Sequence, residues 1–316
     1  MSLPPSLAVH AAAQGGAFTT AQALSAGYDE REISALLKTR RWTRLRRGVF
    51  AESTLISDDD AKVARLALQA LQLRTSRQFA ASHETAALLH ELTLLRPDLD
   101  LIHVTRSSRG GGRIEAGVHW HSGALPQDHV TQSGDLCCTT VARTVVDIAR
   151  ESDFRDGLVV AESALNRKLT TPDELRQVHE FCSDWPGART AGRVVSFASP
   201  LSESPGETMS RIAFADQGLP DPEQQRHIYD ALGFIGRVDF LWLKHHTIGE
   251  FDGKVKYVGT GGNGLAVVYD EKRREDRLRD AGFQVVRFGW YDVVKRPAWV
   301  AKKIRTAFAR AAREHG

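Results

Sequence analysis

The chain has 316 residues, with 42 Lys and Arg against 39 Asp and Glu, a formal charge of +3 at pH 7 and 42% hydrophobic residues. That is long enough for two or three domains with a sizeable core, and too nearly neutral for the overall field to hold nucleic acid, so any such attraction must come from local clusters. No apolar run approaches the roughly 18 residues of a membrane span. The N-terminus MSLPPSLAVHAAAQGG lacks the basic start and continuous apolar core of a signal peptide, which points to the cytoplasm.

Residues 7–52 predict a compact set of short helices. LAVHAAAQGG is a helix ended by glycine, and TTAQALSAG a second, with Thr19 or Thr20 as N-cap and Gly27 as stop. YDEREISALLKTR is a third, acidic at its start and basic at its end as the helix dipole prefers. WTRLRRGVFAE alternates as a short hairpin, and three helices with a wing make the winged helix-turn-helix plan, assigned to residues 1–56. The run KTRRWTRLRR puts Lys38, Arg40, Arg41, Arg44, Arg46 and Arg47 on the end of the third helix and the wing, where DNA phosphates would lie, while Trp42 packs inward. A solvated basic face is the alternative; the helix pattern favours DNA contact.

Residues 57–196 read as a mixed α/β domain. Helices are expected in DDDAKVARLALQALQLR and in SHETAALLHEL, capped by Ser82. LDLIHVT, AGVHWHSG and DLCCTTV are expected strands, followed by helices in VARTVVDIAR (capped by Thr140), FRDGLVVAESALNRK and TPDELRQVHEFC. SSRGGGR lacks the GK[ST] ending of a phosphate loop and is expected to connect strands. His119 and His121 share a strand face but, with no third ligand nearby, read as an edge-strand pair, and His83 and His90 as a packed pair on one helix face. Cys137, Cys138 and Cys182 offer no CxxC spacing and are expected to be reduced core residues. No chemistry is assigned to this middle region.

Residues 197–316 predict the order helix, strand, strand, helix, strand, helix. In GEFDGKVKY, alternation places Glu250, Asp252, Lys254 and Lys256 on one strand face and Phe251, Val255 and Tyr257 on the other. Asp239, in RVDF, lies across a hairpin turn from them. Three neighbouring carboxylates raise one another's pKa unless a cation neutralises them, and a hard ion such as Mg2+ suits carboxylate and water oxygens. With Lys254 one step along and Glu207 in the preceding helix as a further ligand, these are parts for phosphodiester hydrolysis.

Asp239 followed by Glu250-Phe251-Asp252-Gly253-Lys254 resembles the PD-(D/E)XK nuclease superfamily, and more narrowly the very-short-patch-repair-like endonucleases. In that group an "EvDG" strand, a helix rich in Arg, Glu and Asp and an "aGw.VvR" strand follow in order; here they are EFDG, DEKRREDRL and AGFQVVRFGW. The resemblance implies a restriction-endonuclease-like α/β domain. Asp239, Glu250 and Asp252 would be ligands of Mg2+ or Mn2+, and Lys254 the catalytic cation, with Lys256 the alternative. Arg273 and Arg277 are candidates for phosphate contact, ion pairs with Glu275 or Asp276 being the alternative. The N-terminal TTAQALSAG and ISALLKTRRWTRLRRGVFA resemble the AbiEi-type antitoxin winged helix, which implies DNA and a cognate toxin as partners and repression of its own promoter. The expectation is therefore a multi-domain α/β protein that binds DNA and cuts it in repair or defence. The alternative is a non-enzymatic repressor or antitoxin with the nuclease fold as scaffold.

Overall fold

The computed structural model describes residues 3–108, 110–253 and 264–315. The chain forms two compact units, Met1–Val160 with Leu169–Ser196, and Ala161–Lys168 with Phe197–Gly316. The protein is a multi-domain α/β molecule, as its sequence pattern predicts.

The first unit begins with α1 (Pro5–Ala13), β1 (Phe18–Thr19), α2 (Thr20–Ser25), α3 (Glu30–Lys38), β2 (Trp42–Arg46) and β3 (Val49–Glu52). The three strands form one antiparallel sheet ordered β1-β3-β2. Local chemistry sets the boundaries. Thr19 Oγ1 accepts from the Gln22 N–H at 3.2 Å while the Gln22 side chain accepts from the Thr19 N–H at 2.8 Å, and Asp29 and Glu32 do the same at α3. Each such box satisfies two otherwise unpaired donors of a helix start. Gly48 turns the wing at φ +74°, a conformation that only glycine adopts without strain. Trp42 does pack inward, edge-on to Phe18 at 4.7 Å and Tyr28 at 4.9 Å, in a core with Leu7, Ile33 and Phe50.

Helix α4 (Asp60–Gln72) is apolar on two sides. Leu66 and Ala70 pack with Ala17, Val49 and Ala51 under the winged sheet, while Leu68 and Leu71 enter the next core. That core belongs to β4 (Ala80–Ala81), α5 (His83–Leu89), β5 (Ile102–Arg106), β6 (Arg113–Glu115), β7 (Val118–Ser122), β8 (Val130–Ser133) and β9 (Leu136–Thr139), in the mixed sheet β6-β7-β5-β4-β9-β8. Helices α6 (Val141–Glu151), α7 (Phe154–Asn166), α8 (Pro172–Phe181) and α9 (Ala188–Phe197) follow. Val104, Val118 and Trp120 are buried with Leu68 and Leu71, so alternation turns His103, Thr105, His119 and His121 to the opposite sheet face. Two expectations need correcting. β7 is an internal strand between β6 and β5, not an edge. Ser82 precedes α5 without capping it through its side chain, whose Oγ lies 3.0 Å from His83 Nδ1. Thr140 does cap α6, accepting from the Arg143 N–H at 3.3 Å.

The second unit contains α10 (Pro205–Asp216), β10 (Glu223–Asp230), β11 (Gly233–Trp242), β12 (Thr247–Asp252), α11 (Gly264–Asp280), β13 (Gln284–Gly289), α12 (Trp290–Lys295) and α13 (Pro297–His315). Its sheet runs β10-β11-β12-β13, antiparallel except for the parallel β12–β13 pair. The segment EQQRHIYD, which adds a strand to the expected order, is β10: it pairs with β11 from Glu223↔Leu241 to Asp230↔Gly233. The order is thus helix, three strands, helix, strand, two helices. Ile228, Val238, Leu241, Ile248 and Leu278 form the core, and Phe214 of α10 sits edge-on to Phe240, Trp242 and Phe288. Phe251 lies so close to α10 that a Cβ on Gly206 would stand 2.1 Å from its ring. The three cysteines are free thiols, Cys138 and Cys182 being buried. No helix among the described residues is long and apolar enough to cross a membrane.

Candidate nucleic-acid interface and two ionisable clusters

Of the six basic residues singled out at the N-terminus, Lys38, Arg40, Arg41, Arg44 and Arg47 are exposed. Arg46 is not part of that surface. The β2–β3 register shifts between Arg44 and Arg46, and a bulge of this kind re-aims the side chain beyond it. Arg46 instead donates to the Ala116 carbonyl at 2.9 Å, and burial pushes its pKa down. It ties the wing to the β6–β7 turn. On α3, Arg31, Ser34, Ala35 and Lys38 are all exposed at spacings that share one helix face; only Lys38 of these stood out in the sequence. The last turn of α3 closes through Arg40 N–H to Leu37 O at 3.1 Å and Arg41 N–H to Leu36 O at 3.0 Å, with Arg40 at φ +53°. Glycine is the usual residue for that conformation; here an arginine occupies it.

The acidic residues of the second unit stand on neighbouring strands. Phe240 pairs with Gly249, so Asp239 and Glu250 lie one step further along the same two strands, and Asp239 accepts from the Phe251 N–H at 2.8 Å. Asp239 raises the pKa of both Glu207 and Glu250, adding to the larger effect of burial. Each carboxylate is already engaged, however. Arg274 holds both oxygens of Glu250, at 2.8 and 3.2 Å, and reaches the Arg237 carbonyl by passing over Gly236, where a Cβ would be 2.5 Å from its Nε. Glu207 accepts from Ser204 Oγ at 2.8 Å, the Glu203 N–H at 3.0 Å and Gln225 Nε2 at 2.8 Å. Asp252 is exposed, 3.8 Å from Arg287, which pairs with Glu271 and Glu275. Arg277 pairs with Asp230 at 2.7 Å, an ion pair with a different partner from those expected, and Arg273 is exposed near Tyr269. Lys254 and Lys256 lie outside the described residues. Among the described residues the acidic side chains do not converge as a metal-ligand set, and the bidentate hold of Arg274 on Glu250 does not fit Mg2+ or Mn2+ there.

The set that does converge lies in the middle of the first unit, where no chemistry was expected. His83, His103 and His121 are buried and each offers a ligand atom within 4.8 Å of the others. His103 Nδ1 is 3.0 Å from His121 Nε2. Glu151 Oε1, at the end of α6, lies 3.3 Å from His83 Nε2 and 3.4 Å from His121 Nδ1, and Glu84 is 3.5 Å from His103 Nδ1. His103 Nε2 is buried with no hydrogen-bond partner, and His83 Nε2 has only the 3.3 Å contact with Glu151. His83 also has φ +49°, which costs a non-glycine residue about 1–2 kcal/mol. Burial, reinforced by the neighbouring imidazoles, lowers His103 to about 3, and burial lowers His121 to about 4 against the opposing hydrogen bond of Glu151. Both rings are therefore neutral at pH 7. A cavity of about 160 Å³ beside them is walled by Arg143, Arg150, Asp147 and Trp185. His83 was read with His90 as one packed pair, but His90 turns to the Thr139 carbonyl at 2.8 Å.

A helix-turn-helix with a basic wing defines a DNA-binding class of domain. Residues 7–53 match the family described as "Transcriptional regulator, AbiEi antitoxin", so the N-terminal domain is similar to the regulator domains of that family. The chain is also similar to two proteins of Mycobacterium tuberculosis named as uncharacterised, MT2308 of strain CDC 1551 / Oshkosh and Rv2248 of strain H37Rv. Each is 28% identical over 194 residues, 61% of this chain and 68% of the relative. The crystal structure of the RV2827C protein from Mycobacterium tuberculosis aligns with a TM-score of 0.42 at 15% identity, over 71% of this chain and 87% of that one.

Proposed function

We propose that the protein is a DNA-binding transcriptional regulator of the antitoxin type, in which the N-terminal winged helix docks on duplex DNA and the second unit serves as scaffold. Five exposed cations on the end of α3 and the wing support this reading, because they lie where a docked winged helix meets phosphates. The exposed face Arg31, Ser34, Ala35 and Lys38 is the part of α3 that would enter the major groove. The expected partners are DNA, in the first place the region upstream of its own coding sequence, and a cognate toxin. Fluorescence anisotropy with that duplex across a salt series tests it. If the five cations each neutralise one phosphate, log K falls with log salt at a slope of about −4.5; binding without salt dependence, or none, sinks the reading.

One observation favours a second reading, phosphodiester hydrolysis: Asp239 and Glu250 side by side on adjacent strands, electrostatically coupled to each other. The pairing of Glu250 with Arg274 weighs against it. Incubating plasmid, linear duplex and single-stranded DNA with Mg2+, Mn2+ or chelator separates the two. Cation-dependent cleavage that Asp252→Ala abolishes supports hydrolysis, whereas tight salt-sensitive binding without cleavage supports the regulator.

A further inference from the structure

We propose that His83, His103 and His121, with Glu151 beside them, form a binding site for a divalent transition-metal ion of the zinc class. The topology makes the site. β7, β5 and β4 are consecutive in the sheet; His121 and His103 project from one face of β7 and β5, and His83 follows β4 directly through Ser82. The final turn of α6 brings Glu151 over the same face, within 3.4 Å of His121 and 3.3 Å of His83.

The distances suit an ion better than a set of hydrogen bonds. Imidazole nitrogens bind zinc at about 2.0–2.1 Å, so two on a tetrahedral ion stand about 3.3 Å apart. His103 Nδ1 and His121 Nε2 are already 3.0 Å apart. One hydrogen bond between those two rings would account for that contact, but not for His103 Nε2, which is buried without a partner, a state rare in native interiors. The rings of His83 and His121 stack at 3.7 Å. Coordination by both therefore requires His83 to turn about its Cβ–Cγ bond, a torsion with broad minima. Glu151 lies beside His121 Nδ1 while Nε2 faces His103, the carboxylate–histidine arrangement that orients a metal-binding ring. Three imidazoles and a carboxylate favour zinc or a neighbouring transition metal over magnesium or calcium. The His119 ring lies tilted against His121, with centroids 3.8 Å apart, but is outside the convergent set.

The full chain, stripped with chelator and dialysed, is titrated with Co2+, whose visible absorption reports coordination by nitrogen ligands, and then with Zn2+ as competitor. Wild type is expected to take up one equivalent of Co2+ that Zn2+ displaces. Affinity falls more than about 100-fold in His103→Gln and His121→Gln, falls about 10–100-fold in Glu151→Gln, and is retained in His119→Gln, with circular dichroism confirming the fold of each. Absence of stoichiometric Co2+ or Zn2+ binding to folded wild type overturns the proposal. So does equal binding by wild type and the His103 and His121 variants. Should the buried histidine variants fail to fold, Glu151→Gln carries the test, since its side chain is 42% exposed; an unchanged Co2+ affinity in that variant also overturns the assignment.

Discussion

Arg40 offers a way to separate a DNA contact from a structural role, because the two demand different residues. Its φ of +53° closes the last turn of α3. An L residue pays about 1–2 kcal/mol there, and a glycine loses roughly 0.5–1 kcal/mol of chain entropy on folding instead. Arg40→Gly is therefore expected to gain on the order of 0.5–1 kcal/mol, raising the melting temperature of the first unit by about 2–4 °C at most. If the guanidinium neutralises a phosphate, the salt slope becomes shallower by about 0.9, and affinity at physiological salt drops about fivefold. Arg40→Ala removes the same charge but keeps the strained backbone, so it should match the glycine variant in DNA binding without the gain in stability. Anisotropy over a salt series and thermal melting read the two effects independently. Unchanged affinity and slope in both variants would refute the placement of Arg40 at the DNA. Loss of stability in Arg40→Gly would refute the strain argument.

The neighbouring Arg46 should behave in the opposite way: Arg46→Ala loses its bond to the exposed Ala116 carbonyl, costing about 0.5–1.5 kcal/mol in denaturant unfolding while leaving the salt slope unchanged. Trp42→Ala empties the centre of the aromatic cluster. It should cost about 3–5 kcal/mol, with DNA binding and the near-ultraviolet signal lost together. In the second unit, Gly236→Ala puts a methyl group into the path of Arg274, pushing the guanidinium off buried Glu250. A urea titration should show a loss of about 1–3 kcal/mol, and an unaltered midpoint would mean that Arg274 does not need that path.

The winged helix was legible because its determinants are local. Thr19, Asp29 and Gly48 act within a few residues of themselves, and the apolar spacing of α3 names its buried face. The βαβ order at the C-terminus was legible for a similar reason, since β12, α11 and β13 carry three short motifs in order. β10 escaped notice because its sequence, EQQRHIYD, buries only Ile228; its strand character comes from pairing with β11 at the sheet edge, a non-local cause. Arg46 was misassigned for a related reason. In an unbroken hairpin it would share a face with Arg44, and the bulge that separates them has no signature in RLRRG.

The histidine cluster marks the limit of spacing arguments. His83, His103 and His121 are separated by 20 and 18 residues (103 − 83 and 121 − 103), intervals longer than the elements that carry them and matching no metal-binding motif. VHWH did show its two histidines on one face, but the other three groups come from β5, from the second residue after β4 and from the far end of α6. The parallel β5–β7 pairing, Thr105↔His121 and His103↔His119, is what puts the rings together. A signal was nevertheless present: β5 and β7 alternate cleanly, and the residues opposite their apolar face are histidine and threonine rather than charged groups. A strand that presents neutral imidazoles where solvent-facing charges would normally stand is burying that face too. A buried polar face must in turn find partners, and here the ring nitrogen His103 Nε2 has none. The geometry thus assigns to the middle of the chain a ligand-binding role that pairwise reading of its histidines could not reach.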